Sequence, residues 1–312
     1  MKKMIMMAAT ASTITLSSYA SETPFKNGGF DLPFDKVRSP NIQHSPWKVQ
    51  DYETGYNPNT IYNYGGLVTR EYDAASNNWY AKIYSHHAEE SKCLNYGINC
   101  HRAELFYSPE QYDTHPDYLN IDGQRTQITF RFKVDKIWNK GCRMKAPNSR
   151  SICYSTLMQY GPPSNAAFPV APMMSFVIAR YPKANEQPSI SLQHKVHCAK
   201  PSNKTHYSGI CNDKGNSIAS WSADTIIPIE IGRWYVAYSH VLWSENNGEF
   251  SAAIKPEGGT WTHFSKNGQL FHQLPTRAAN GRHSFKAGIY GHGIDTSDQE
   301  LVMSFDDFKF IN

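Results

Sequence analysis

Apolar and polar residues alternate in twos through short runs along most of this chain, and the 3.6-residue spacing of an amphipathic helix is almost absent. The clearest runs are Gln127 to Asp135, Met173 to Tyr181, Ser189 to His197, Arg233 to Trp243, Glu249 to Lys255, Ser284 to Tyr290 and Glu300 to Ile311. Turn-forming residues separate them. Only Ala74 to Asn78 and Pro109 to Asp113 have the pattern of a helical turn. A strand with one apolar face must bury that face against a second layer. The expected fold is therefore all-β, two antiparallel sheets packed as a sandwich or jelly roll.

The first twenty residues carry Lys2 and Lys3, a weakly apolar stretch from Met4 to Leu16, and Ser18-Tyr19-Ala20 before Ser21. These are the three parts of a secretory signal, of bacterial type, so the expected location is secreted or periplasmic. Residues 21–59, rich in Pro, Gly and Asn, read as an extended arm, and residues 60–312 as one β domain. No other apolar run nears the roughly 18 residues that span a bilayer, so no membrane partner is expected. Lys and Arg number 31 against 27 Asp and Glu, and losing Lys2 and Lys3 brings the 31 down to 29. That balance, with no basic helix, argues against nucleic acid as a partner.

The six cysteines suit an oxidising compartment. Six allow fifteen connectivities. Here they fall into local pairs, which predicts Cys93 with Cys100, Cys142 with Cys153, and Cys198 with Cys211. Zinc is the alternative, but no CxxC pair occurs. Between Arg131 and Arg150 seven basic side chains face a single acid, Asp135. Such a run is either a solvated loop or a cationic rim for an acidic polymer.

Side chains alternate across a strand, so Lys286, Gly288 and Tyr290 share one face while Phe285, Ala287 and Ile289 share the other. An ammonium and a phenol on one face, with a glycine between them leaving room for a ligand, suit a site that binds an anion and moves a proton. His101-Arg102-Ala103-Glu104-Leu105 reads likewise, with Arg102 and Glu104 opposite a core face of Ala103 and Leu105. Leu157-Met158-Gln159-Tyr160-Gly161 ends at Pro162-Pro163. In this order the three segments resemble the jelly-roll polysaccharide lyases: alginate lyases, glucuronan lyases and heparin lyase I. Those families have an Arg-x-Glu strand, a Gln-x-His strand and a Lys-Ala-Gly-x-Tyr strand. Gly232-Arg233-Trp234-Tyr235-Val236 and Ser304-Phe305-Asp306-Asp307-Phe308 add to the resemblance, which covers about Leu67 to Ile311. It implies a concanavalin A-like sandwich and β-elimination on an acidic, uronate-containing polysaccharide. In this sequence Gly161 stands where the histidine of the Gln-x-His strand is expected.

β-Elimination removes the proton on C5, beside the uronate carboxylate, and expels the oxygen on C4. Charge builds on the carboxylate as the proton leaves, so cationic and amide donors must hold it. The resemblance gives that role to Arg102 and Gln159, with Glu104 orienting Arg102. It makes Tyr290 the acid and, without the histidine, a candidate base as well. Holding a tyrosine of pKa near 10 ionised at pH 7 costs about 4 kcal/mol. Neighbouring cations lower a phenol's pKa by roughly one to three, and Lys286 and Arg102 are the candidates. A histidine base would avoid this. Ile190, Leu192 and Val196 define a core face that leaves Gln193, Lys195 and His197 together, with His197 beside Cys198. His101, His86, His87, His240 and His292 carry weaker arguments.

No pair of acids has the facing arrangement of a glycoside hydrolase, and no GxSxG nucleophile elbow occurs. The competing function on the same fold is a non-catalytic, lectin-like carbohydrate-binding protein. Aromatic content of 13% with seven tryptophans fits sugar stacking in either case. No cofactor is required by this chemistry. A structural calcium at Asp295 and Asp298 is conceivable, but isolated aspartates seldom bind one. Oligomeric state is left open by the sequence.

Overall fold

The computed structural model describes residues 22–24, 29–30, 35–36, 47–51, 68–85, 102–107, 123–137, 153–161, 174–180, 187–195, 220–244, 247–270, 272–274, 276, 284–292 and 301–311. Their strands begin with β1 (Glu22–Pro24), β2 (Asp35–Lys36), β3 (Trp47–Asp51), β4 (Val68–Asp73), β5 (Asn78–Ser85) and β6 (Arg102–Tyr107). Next come β7 (Arg125–Lys136), β8 (Cys153–Gly161), β9 (Met174–Arg180), β10 (Ser189–Lys195), β11 (Ser220–Ser222) and β12 (Ile227–Pro228). The last are β13 (Trp234–Leu242), β14 (Gly248–Pro256), β15 (Thr262–His263), β16 (His272–Leu274), β17 (Ser284–His292) and β18 (Leu301–Ile311).

The strands form two sheets, as the alternation requires. The first runs β15-β14-β13-β7-β18-β5-β4, with β1 pairing β18 and β16 pairing β14. The second runs β11-β10-β9-β8-β17-β6-β3-β2, with β12 pairing β10. Every pairing is antiparallel except β2 with β3. The architecture is thus the all-β jelly-roll sandwich expected from the pattern. Among the described residues there is no helix, and hence none long and apolar enough to cross a membrane; this says nothing of a β-barrel.

β7 shows how the sandwich forms. Ile128, Phe130, Phe132 and Val134 are buried, while Gln127, Thr129, Arg131, Lys133 and Asp135 alternate with them on the other face. From the second sheet Phe285, Tyr160 and Phe176 meet this layer, with Phe130 lying 6.2 Å from Phe285 and 6.3 Å from Phe176. Phe308 stacks on Phe130 at 5.2 Å and meets Phe285 edge-on at 5.7 Å. Each buried ring contributes about 2 to 3 kcal/mol. The segment before β4 also enters the core: Trp47 and Phe30 are fully buried, and Trp47 lies 4.7 Å from Phe308.

Two local features depart from plain alternation. The pairing of β18 with β7 shifts register between Asp306 and Lys309, with Asp307 at φ 53°. This bulge buries Phe305, Phe308 and Phe310 together while Asp306 joins the opposite face. The helical turn expected at Ala74 to Asn78 is instead the β4–β5 hairpin turn. Asp73 accepts hydrogen bonds from the Ala75 N–H and the Ser76 hydroxyl, giving the backbone a turn in place of a helix. Pro109 to Asp113 lies outside the described residues.

Candidate functional site

β17 lies between β8 and β6 in the second sheet, so the three segments singled out in the sequence are immediate neighbours. Phe285, Ala287 and Ile289 are buried against the first sheet, which places Lys286 and Tyr290 on the face away from the core, both half-buried. Register then fixes what stands level with what. Tyr290 is opposite Arg102 on one side and Thr156 on the other. Lys286 is opposite Phe106 and Gln159, and Gly288 is opposite Glu104.

Tyr290 and Lys286 are four residues apart, about 13 Å along a strand. Arg102 is therefore the cation level with Tyr290, and Lys286 belongs to the level of Gln159. That level continues as a polar row across the sheet, Gln159 opposite Ser175, Ser175 opposite Gln193, and Gln193 opposite Ser222. Gly161 is opposite Ser284, six residues or about 20 Å from Tyr290. A histidine at position 161 would be remote from that phenol. Lys195, opposite Ser220, closes β10, three strands from β17 and toward the Gly161 end.

Glu104 and Gln159 are both buried, and the Gln159 amide donates a hydrogen bond to the Glu104 carboxylate. Their strands flank β17, so the bond crosses it at the level of Gly288. The glycine has a steric reason that differs from the expected room for a ligand. Gly288 has φ 148° and sits where the pairing of β17 with β8 shifts register. A Cβ there would lie 2.4 Å from the Ala103 carbonyl oxygen and 2.7 Å from the Glu104 Cα. Close approach of the β6 backbone therefore demands glycine.

The cationic rim is corrected for Arg131 and Lys133. Both belong to β7 and lie on the outer face of the opposite sheet, because a twelve-residue strand carries alternate residues there. Arg131 pairs with Asp306 at 2.9 Å and Glu257 at 3.0 Å, and Lys133 with Asp135 at 2.9 Å. The rest of that run, 138–150, lies outside the described residues, as do His197, Asp295 and Asp298. Cys153 opens β8, and the other five cysteines lie outside the described residues.

Among the histidines of the described residues, His194 is buried on the core face of β10, 6.3 Å from the Phe250 ring. His240 is on the first sheet beside Arg125, and burial followed by that guanidinium holds it below the ordinary histidine range. His263 and His272 also belong to the first sheet. β17 continues through Gly291 to His292, opposite Tyr154. His292 stands two residues, about 7 Å, beyond Tyr290 along the strand. The sequence pattern alone ended this strand at Tyr290. Ser175 and Thr156 were missed for another reason: their strands are readable, but their level relative to Lys286 and Tyr290, like that of Gln193, follows only from the pairing.

No protein-family model matches the chain, and no curated protein matches it. Among solved structures, the endo-beta-1,4-glucuronan lyase from the fungus Trichoderma reesei is similar over 80% of this chain and 88% of its own, with 9% identity and a TM-score of 0.46. Alginate lyase A1-II', a member of polysaccharide lyase family 7, is similar over 85% of this chain and 93% of its own, with 12% identity and a TM-score of 0.46. An alginate lyase from Aplysia kurodai is similar over 79% and 87%, with 9% identity and a TM-score of 0.42. The two-sheet architecture rests on the strand order and register above rather than on these likenesses.

Proposed function

We propose that this chain is an exported polysaccharide lyase that cleaves an acidic, uronate-containing polymer by β-elimination. The observation that carries the reading is the level of Tyr290, opposite Arg102, on a face that also holds Lys286, Gln159 and Glu104. Arg102 and Gln159 hold the uronate carboxylate, and their donors stabilise the charge that builds there as the C5 proton leaves. His292, two residues beyond Tyr290 along β17, takes that proton. The C5–H electron pair becomes the C4–C5 double bond, the C4–O bond breaks, and Tyr290 protonates the departing oxygen. Solvent then returns a proton to the phenolate and removes one from the imidazolium. Lys286, level with Gln159, binds the neighbouring uronate. No metal has a part in these steps.

The product carries a double bond conjugated with the carboxylate, which absorbs in the ultraviolet. Alginate, glucuronan, heparin and heparan sulfate are incubated in turn with the protein lacking residues 1–20, and absorbance is followed. Absorbance should rise on at least one unsulfated uronate polymer, and Tyr290→Phe should abolish it with the melting temperature unchanged. His292→Gln should lower kcat, with the melting temperature unchanged. Flat traces on every polymer with measurable binding would replace the lyase by a lectin-like protein. Full activity in Tyr290→Phe would remove the phenol from the mechanism.

A further inference from the structure

Glu104 is buried to 1% exposure and Gln159 to 3%, on the sheet face that looks away from the hydrophobic core. A carboxylate at such a position needs a donor, and the Gln159 amide supplies one. The two residues sit on strands separated by β17, about 10 Å between backbones. Their side chains meet across β17, where Gly288 stands opposite Glu104 and Lys286 opposite Gln159. Resting on the lyase reading, we infer that Glu104 is a positioning residue for Gln159, neither a ligand of the substrate nor a reacting group.

The chemistry follows from the inventory of a primary amide, which has two N–H donors and one carbonyl acceptor. An amide without a fixed partner can present either end to a ligand. With one N–H held by the Glu104 carboxylate, the amide plane is set and its orientation cannot invert without losing a charge-assisted bond. The second N–H is then the free donor for a substrate carboxylate, on the level shared with Lys286. A flipped amide would offer its carbonyl to that carboxylate, oxygen against oxygen. Glu104 thus chooses the end of Gln159 that suits an anion. The same negative charge, held beneath the site, opposes a second anionic group on the bound sugar. The inference therefore favours an unsulfated uronate over a sulfated one.

Three variants test the assignment: Glu104→Ala, Glu104→Gln and the double variant Glu104→Ala/Gln159→Ala, beside Gln159→Ala alone. Glu104→Ala should lower kcat/KM by 10- to 100-fold on the preferred polymer, the usual range for a residue that holds a ligand in place. Glu104→Gln keeps an acceptor oxygen and should recover to within about threefold. The double variant should be no worse than Gln159→Ala, since Glu104 acts through that amide. A purely structural role would lower the melting temperature and the active fraction while leaving KM unchanged. That result, or losses that multiply in the double variant, overturns the inference.

The side-chain amide protons of Gln159, observed by nitrogen-15 NMR and assigned with Gln159→Ala, give a readout independent of turnover. One of them should lie downfield in the wild type, move upfield in Glu104→Ala, and stay near its place in Glu104→Gln. No change in Glu104→Ala overturns the inference. Should the wild type cleave none of the polymers, the lyase reading fails by itself. Binding of unsaturated-end-free uronate oligosaccharides by titration calorimetry then replaces kcat/KM in the same comparison of variants, and unaltered affinity in Glu104→Ala overturns the positioning role.

Discussion

Replacing Gly288 by alanine separates two explanations of the glycine between Lys286 and Tyr290. If its purpose were space for a ligand, alanine would weaken binding and leave the fold alone. The structure requires the opposite order of effects. The added Cβ would lie 2.4 Å from the Ala103 carbonyl oxygen and 2.7 Å from the Glu104 Cα, with Ile83 Cδ1 at 3.2 Å. The first two are backbone atoms of β6, which cannot turn aside as a long side chain would. At φ 148° an L side chain also carries backbone strain of about 1 to 3 kcal/mol. Shifting β17 away from β6 to relieve the contacts adds the usual penalty of overpacking, again about 1 to 3 kcal/mol. The sum is roughly 4 kcal/mol. For a domain of this size each kcal/mol lowers the melting temperature by about 2 to 4 °C, so differential scanning calorimetry should show a drop on the order of 10 °C. A melting temperature within about 2 °C of the wild type would refute the close-approach argument, whatever happened to activity.

Tyr160 donates or accepts a 2.8 Å bond with Ser239 across the two sheets, both residues fully buried. Tyr160→Phe should cost about 1 to 3 kcal/mol in urea titrations, and adding Ser239→Ala should recover much of it, because the orphaned hydroxyl is then gone. Burial pushes the Asp306 carboxyl up to about 7 against the pull of Arg131. Its folded value is above the unfolded one, so the native state holds an extra proton between about pH 4 and pH 7, and stability falls as pH rises through that window. Asp306→Asn should flatten that fall in urea midpoints measured from pH 4 to pH 8. Glu71 behaves oppositely: burial acts to raise its pKa, but hydrogen bonds from Tyr84, Tyr80 and Lys82 outweigh it and bring the value below 4.5. Its stabilisation is present above the unfolded value and lost as pH falls through the folded one, so Glu71→Gln should reduce the acid-side loss of stability seen by thermal melts below pH 4.5.

The site was legible one strand at a time. Ala103 and Leu105 identify the core face of β6, and Phe285, Ala287 and Ile289 that of β17, because burial of alternate residues is written into the sequence with a period of two. What lies beside what was not legible. The hydrogen bond of Glu104 with Gln159 depends on β6 and β8 flanking β17, a pairing between segments more than fifty residues apart. Arg131 and Lys133 begin a basic run that reads either as a solvated loop or as a rim for an acidic polymer. Their positions on β7 put them on the opposite sheet, within reach of Asp306, Glu257 and Asp135.

By itself, then, the sequence determined that this protein is a two-sheet β sandwich and which residues of each strand face inward. Local alternation and the cost of exposing an apolar face are enough for that. The tertiary structure decided the order of the strands, and with it the levels of Tyr290, Lys286 and Gln159. It also decided the reason for Gly288, since a steric demand from the β6 backbone exists only once β6 and β17 are paired. Register is a property of two strands at once, set by bulges and by contacts distant in the chain, and no single strand encodes it.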